Sequence, residues 1–394
     1  MPVEQAWIAT LEGTPTAGGA MDDERVYIPV QPAKVQALSR AAGAKVWTRD
    51  IETAWPPLLL NGVLYVAAND EIDAFDPASG DRKWRTPFEH PLIAPLAAVP
   101  GSGIRDQGSG EPKSAIRDPG SGEPTSGIRD PGSGIKSTDR LIGVFEQGLV
   151  IAFAADDGRM LWSHELGAAS RLAPVSDGMR VFFATEDSRV VALNLADGTR
   201  AWEQKLEGML NQPSVARDRV FVGSNNNSLY ALDNERGRLA WRWKSGGDVI
   251  GVSADTKGGA YYASLDNVLR AVNRGNGNQR WIKEIPTRPL LPPRTFGDGV
   301  VFEEIVVLTG VTSEIDAFAA KTGAAVGMYI PESDIQGAPL IDPALKPYGV
   351  AMVVITRDGR AFGLRPSAMM LPEPIATPLG ELPGRKLERE RFPR

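Results

Sequence analysis

Cysteine is absent from the 394 residues, and histidine occurs only at His90 and His164. The first absence removes disulfides, thiolate metal sites and cysteine nucleophiles. The second removes the multi-histidine donor sets that most zinc centres need. No apolar run approaches the 18 residues of a membrane-spanning helix. Basic residues are outnumbered, 43 Lys and Arg against 49 Asp and Glu, for a net charge of -6, so no nucleic-acid footprint is expected. The opening residues, MPVEQAWIATLEG, show neither the basic region nor the apolar stretch of a secretory signal, and no lipid-attachment cysteine. On this ground a cytoplasmic location stays open.

Glycine and proline are abundant, at 42 and 31 residues, as in a chain with many turns. Much of that glycine belongs to a repeat. Seven of the nine tryptophans, all but Trp55 and Trp243, fall in one phase of a recurring unit, whose full signature is an Ala, then Gly six residues later and Trp ten residues later. Six full copies end at Trp47, Trp84, Trp162, Trp202, Trp241 and Trp281, as in ALNLADGTRAW. A seventh, AFAAKTGAAVG, keeps Ala317 and Gly323 but has Gly327 in the Trp position. An eighth begins at Ala361 and breaks off.

Each unit contains short alternating stretches rich in β-branched and aromatic residues, the pattern of strands with a buried face. The Asp/Asn–x–x–x–Gly segment has hairpin chemistry: the polar side chain closes the turn and glycine accepts positive φ. The Trp that follows fills the wedge between neighbouring sheets. Four strands per unit of about 40 residues describe a β-propeller blade. The last unit, 338–365, supplies three strands, and the N-terminal EQAWIATL, with Trp7 but no hairpin before it, supplies the fourth. The expectation is therefore an all-β, eight-bladed propeller over residues 5–365, closed by an N-terminal outer strand. Trp7, Trp47, Trp84, Trp162, Trp202, Trp241 and Trp281 dock the blades, and the seventh blade is the loosest joint.

Two segments fall outside the repeat. Residues 101–138, in the third blade, carry IRD at a period of 12 (Ile104, Ile116, Ile128) amid Gly, Ser and Pro. So little apolar surface cannot offset ordering entropy, so a disordered low-complexity insert is expected. The Pro-rich, basic-ended tail 366–394 is expected to be disordered as well.

The Ala–x–Asp–x–x–x–Gly–x–x–x–Trp unit resembles the repeat of pyrroloquinoline-quinone-type propellers, a superfamily containing quinoprotein alcohol dehydrogenases and BamB-type outer-membrane assembly components. The dehydrogenase branch implies a quinone (PQQ), Ca²⁺ and a vicinal cysteine pair. With no cysteine, no calcium-type acidic loop and only one long, low-complexity insertion, PQQ and calcium are disfavoured. The acidic pairs Asp22–Asp23, Asp156–Asp157 and Glu303–Glu304 read as solvated turn or strand-edge residues. The BamB-type branch implies a non-enzymatic, monomeric scaffold in the cell envelope or periplasm that binds a protein partner through its loops. A quinoprotein dehydrogenase-like protein and a ligand-sensing propeller are the alternatives.

Function is expected on loops, since the scaffold is occupied with its own closure. The candidate binding rim comprises Trp55, His90, Arg171, Glu186, Asn211, Gln212, Asn227, Asp248, Arg288 and Gln336. His164, on an outer strand, has no nucleophile signature beside it. The NRGNGN stretch at Asn273–Asn278 mimics a phosphate loop, but its phase makes it one of the repeated hairpins.

Overall fold

The computed structural model describes residues 3–53, 55–101, 138–255, 257–297, 304–343 and 349–367. Eight antiparallel four-stranded sheets form the eight blades of a propeller. Blade 1 runs from Ala20 to Asp50, with strands Ala20–Met21, Arg25–Val30, Lys34–Ser39 and Lys45–Asp50. Blades 2 to 7 begin at Leu58, Ala97, Val175, Ser214, Val249 and Arg294 and end at Pro87, Glu165, Lys205, Lys244, Glu284 and Tyr329. Blade 8 takes Leu340–Ile341, Met352–Thr356 and Arg360–Pro366 from the C-terminal side and Val3–Thr10 from the N-terminal side. The insert leaves blade 3 between its first two strands, where Thr138 Oγ1 donates to the Gly101 carbonyl at 2.9 Å. The expected disorder of the insert and of the tail falls almost wholly outside the described residues.

The repeat residues have two separate jobs. In five blades, the Ala of the third strand lies between an aromatic on the second and the Trp of the fourth. Tyr27 pairs with Ala37, which pairs with Trp47, and the two rings meet over the small side chain at 5.8 Å. The same arrangement joins Tyr65 to Trp84, Phe182 to Trp202, Phe221 to Trp241 and Tyr261 to Trp281. Between blades, each of the seven indoles donates its N–H to a hairpin carbonyl of the next blade at 2.8–3.2 Å. Three residues beyond that carbonyl stands the hairpin Gly, with φ between 67° and 75°. A Cβ there would lie 2.4–3.0 Å from the indole in all seven cases. Glycine is thus fixed twice, by the turn and by the ring above it.

The closing blade corrects one expectation. Trp7 pairs with Gly363, not Ala361, so Gly363 holds the Ala position of the eighth unit. A Cβ on Gly363 would stand 2.1 Å from Trp7 Cε2, which rules out even alanine. Ring closure is reinforced by a buried ion pair: Arg40 Nη2 of blade 1 meets Asp342 Oδ2 of blade 8 at 2.6 Å. Arg40 also donates to the Val350 carbonyl, and its own carbonyl accepts from Trp7.

Gly327 also gains a reason. Its missing indole would have docked on the hairpin of blade 8, but the outer strand of blade 8 comes from the other end of the chain, so no such hairpin joins its third and fourth strands. An apolar cavity of about 30 Å³ remains between blades 7 and 8, lined by residues including Gly327, Ile305, Val307, Tyr329 and Val3.

Candidate functional site: the loop face and the channel

The blade-to-blade connections and the turns between second and third strands share one face. Isolated bridges pair them directly: Pro15 with Val30, Leu92 with Phe145, Leu210 with Ser224, Pro289 with Gly310 and Ile335 with Thr356. All ten rim residues lie on these connections and turns, but they fall into different groups.

Several serve the scaffold. Asn211 donates through Nδ2 to the Val249 carbonyl, tying the loop before blade 5 to blade 6. Gln336 donates through Nε2 to the Thr16 carbonyl at 3.1 Å, across the seam between blades 8 and 1. Asn227 occupies the left-handed position of its turn (φ 64°), as Ser188, Asn267 and Ser313 do in theirs. The Asp248 carbonyl accepts from Leu265 N–H at 2.9 Å. Trp55 is half-buried against the core between blades 2 and 3, and its indole N–H has no acceptor among the described residues.

The others face solvent. His90, Gln212 and Arg288 are exposed. Arg171 and Glu186 are brought together in an exposed ion pair, Nε to Oε1 at 2.7 Å.

Acidic residues in the turns are internal braces. Burial pushes Asp187 up, but hydrogen bonds from Thr185 and Arg189 outweigh it and hold the carboxyl below its ordinary range. Asp266 is held down in the same way, against burial, by Arg270 and Ser264. Hydrogen bonds from Arg360 and Thr356 lower Asp358. Among the described residues no three His, Cys, Asp or Glu side chains gather as a metal would require.

Glu304 departs from its sequence reading. It is buried rather than solvated, and lines a crevice of about 300 Å³ between blades 6 and 7 with Asp255, Tyr261, Arg280, Lys257 and Lys321. Tyr261 donates to Asp255 Oδ2 at 2.6 Å, and burial followed by that carboxylate raises the phenol's pKa. The partner of Glu303–Glu304 at position 303 lies outside the described residues. Asp22 is a turn closer, accepting from Arg25 N–H at 2.6 Å and the Tyr27 hydroxyl at 2.7 Å. His164 is half-buried on its outer strand, and burial lowers its pKa.

Sequence reading missed three exposed apolar side chains on this face: Met209 on the loop before blade 5, Leu290 on the loop before blade 7, and Val311 in the turn of blade 7. The last two are held side by side, since Leu290 N–H donates to the Thr309 carbonyl and Val311 N–H to that of Arg288. It also missed Arg294 in the central channel, because LPPRTF carries no motif. Comparing first strands unit by unit would have exposed it as the only charge.

The family model described as outer membrane protein assembly factor BamB matches residues 4–105, 71–215 and 205–344. The chain belongs to the BamB family. It is 25% identical over 257 residues to BamB of Moranella endobia, covering 59% of this chain and 64% of that relative's length. It is 24% identical over 359 residues to BamB of Burkholderia pseudomallei, covering 82% and 88%. It is also 24% identical over 239 residues to tetrathionate hydrolase of Acidithiobacillus ferrooxidans, covering 55% of this chain and 47% of the enzyme. The fold matches the crystal structure of BamB from Moraxella catarrhalis with a TM-score of 0.64 at 12% identity, covering 92% and 99% of the two chains. Among the described residues no helix is long and apolar enough to cross a membrane.

Proposed function

We propose that this BamB-family propeller is a non-enzymatic docking component of outer-membrane protein assembly in the cell envelope, and that it grips a protein partner with its loop face. The observation that carries this is the Leu290–Val311 pair with Met209: large apolar side chains held out to water by backbone hydrogen bonds, amid exposed ionic residues such as Arg288, Arg171 and Glu186. Exposed apolar side chains among charged ones on one face are the composition that docking surfaces draw on. The reading includes no PQQ and no calcium. What supports that part is the donor set: the turn carboxylates are already engaged by arginines and hydroxyls of their own turns.

Photo-crosslinking residues placed at Met209, Leu290 and Val311, in cells of the native host, test the proposal. Met179, equally exposed at the far end of blade 4 on the hairpin between its first two strands, is the control. Discrete adducts with envelope proteins from the first three positions and not from Met179 are expected. Adducts from Met179 alone, or dye-linked alcohol oxidation by purified protein given PQQ and Ca²⁺, would overturn it.

A further inference from the structure

The eight innermost strands, Ala20–Met21, Leu58–Leu60, Ala97–Val99, Val175–Ser176, Ser214–Ala216, Val249–Ala254, Arg294–Phe296 and Leu340–Ile341, wall the central channel. Arg294 is the one charged residue in them. It lines a cavity of about 430 Å³ with Gln212, Ser214, Ser253, Thr295 and Phe296, contributed by blades 5, 6 and 7 and the loop leading into them. The Arg294 side chain is exposed to solvent, and the protein around it on the channel wall disfavours the charged form and lowers its pKa. Such a group keeps its charge all the same.

Among the described residues that charge has no counter-ion. Among the described residues Arg294 makes no hydrogen bond and no ion pair, in a fold where most other strand arginines meet a carboxylate or a carbonyl. The guanidinium carbon stands over the Phe296 ring, 5.7 Å from its centre. A second polar group in the same cavity is also unspent: the Ser253 hydroxyl is buried without a partner. Buried polar groups are ordinarily satisfied, and the Ser253 hydroxyl is an exception to that. Five N–H donors in a planar fork, together with a free hydroxyl in the same mixed polar and apolar cavity, are the donor set that an oxyanion takes.

We propose that the channel binds a small oxyanion, a carboxylate, phosphate or sulfate group, on the Arg294 guanidinium with Ser253 beside it. The site is independent of the loop-face reading, and neither stands on the other.

Titration calorimetry on the full chain tests it, with succinate, inorganic phosphate and sulfate as probes at an ionic strength held constant with sodium chloride. Saturable one-to-one binding of at least one probe is expected. Arg294→Gln should weaken it at least tenfold, and Arg288→Gln, on the outer rim, should leave it unchanged. In buffer free of the probes, Arg294→Gln should melt at the wild-type temperature, because the side chain it shortens is exposed. If that variant fails to fold, Arg294→Lys decides the matter through succinate, whose affinity should drop several-fold with loss of the two-pronged contact. Absence of saturable binding for all three probes overturns the proposal. So does binding that survives Arg294→Gln, or undiminished succinate affinity in Arg294→Lys.

Discussion

Trp202 donates its indole N–H to the Asn234 carbonyl at 2.9 Å, and its six-membered ring occupies the place of the Cβ that Gly237 lacks. One residue thus closes a hydrogen bond and a packing contact between blades 4 and 5, and the other makes room for both.

Gly237→Ala should therefore cost more than an ordinary glycine replacement. Its φ of 70° is strained for alanine, and the new Cβ would stand 2.4 Å from Trp202 Cε3. Strain and forced displacement together predict a loss of about 2–4 kcal/mol. Gly178→Ala is the comparison, because Gly178 also has positive φ but nothing within 4 Å of a Cβ. It should lose about 1 kcal/mol. Equal losses in urea unfolding would show that the indole contact contributes nothing.

Gly327→Val should stabilise the protein by about 1 kcal/mol. Glycine weakens a strand interior, and here it also borders the cavity between blades 7 and 8. The gain should appear as a higher melting temperature and slower amide exchange in blade 7. Unchanged exchange there would mean that this joint is not the weak one.

Asp316 predicts a pH dependence. It is buried, two residues after Glu314, and burial followed by that like charge pushes its carboxyl up to about 6. In blade 2 the equivalent Asp73 meets Arg82 at 3.2 Å and Arg85 at 3.0 Å, but blade 7 has Ala325 and Met328 at those positions. The folded state holds the proton more tightly than the unfolded chain. The site therefore costs no stability below about pH 4, and the cost grows as pH rises towards 6 and is complete above it. The full loss is about 2–3 kcal/mol. Asp316→Asn should flatten this limb and be more stable than wild type at pH 8. Parallel stability curves for the two proteins would refute the assignment.

The low-complexity insert should be dispensable. Its neck is already tied, by the Thr138 hydroxyl to the Gly101 carbonyl and by the Gly101 N–H to Asp139 Oδ1 at 2.7 Å. Doubling a loop's length costs only about 0.6 kcal/mol, so removing 102–137 should leave the melting temperature unchanged or slightly raised. A fall of several degrees would show that the segment packs on the propeller.

Blade architecture was readable in the sequence because Ala, Gly and Trp sit at fixed intervals along one chain. Their partners were not. That Ala37 is small so Tyr27 can touch Trp47, or that Gly43 lies beneath Trp7, requires knowing which strands neighbour in space. The eighth unit was misplaced onto Ala361 for the same reason: its Trp comes from the other terminus, and counting along the chain cannot find Gly363. The rim was located correctly as a face. Asn211 and Gln336, however, look like recognition residues until their carbonyl partners across the blade joints are seen. Arg294 has the opposite history, since an arginine among prolines attracts no notice until the seven other inner strands prove to be uncharged.

The pairing of Val3–Thr10 with Arg360–Pro366 also sets an order of events. The strand Val3–Thr10 is made before all the blades and its mate only after seven of them, so Trp7 must wait through the synthesis of seven blades before it finds Gly363. Throughout that interval blade 1 offers Arg40 and its hairpin without the indole that covers them, and the growing ring is an open crescent with two sticky ends. The crescent, rather than the finished ring, is the species in which neighbouring copies can exchange this strand, and anything that shields Val3–Thr10 until its mate is made keeps the closure within one molecule.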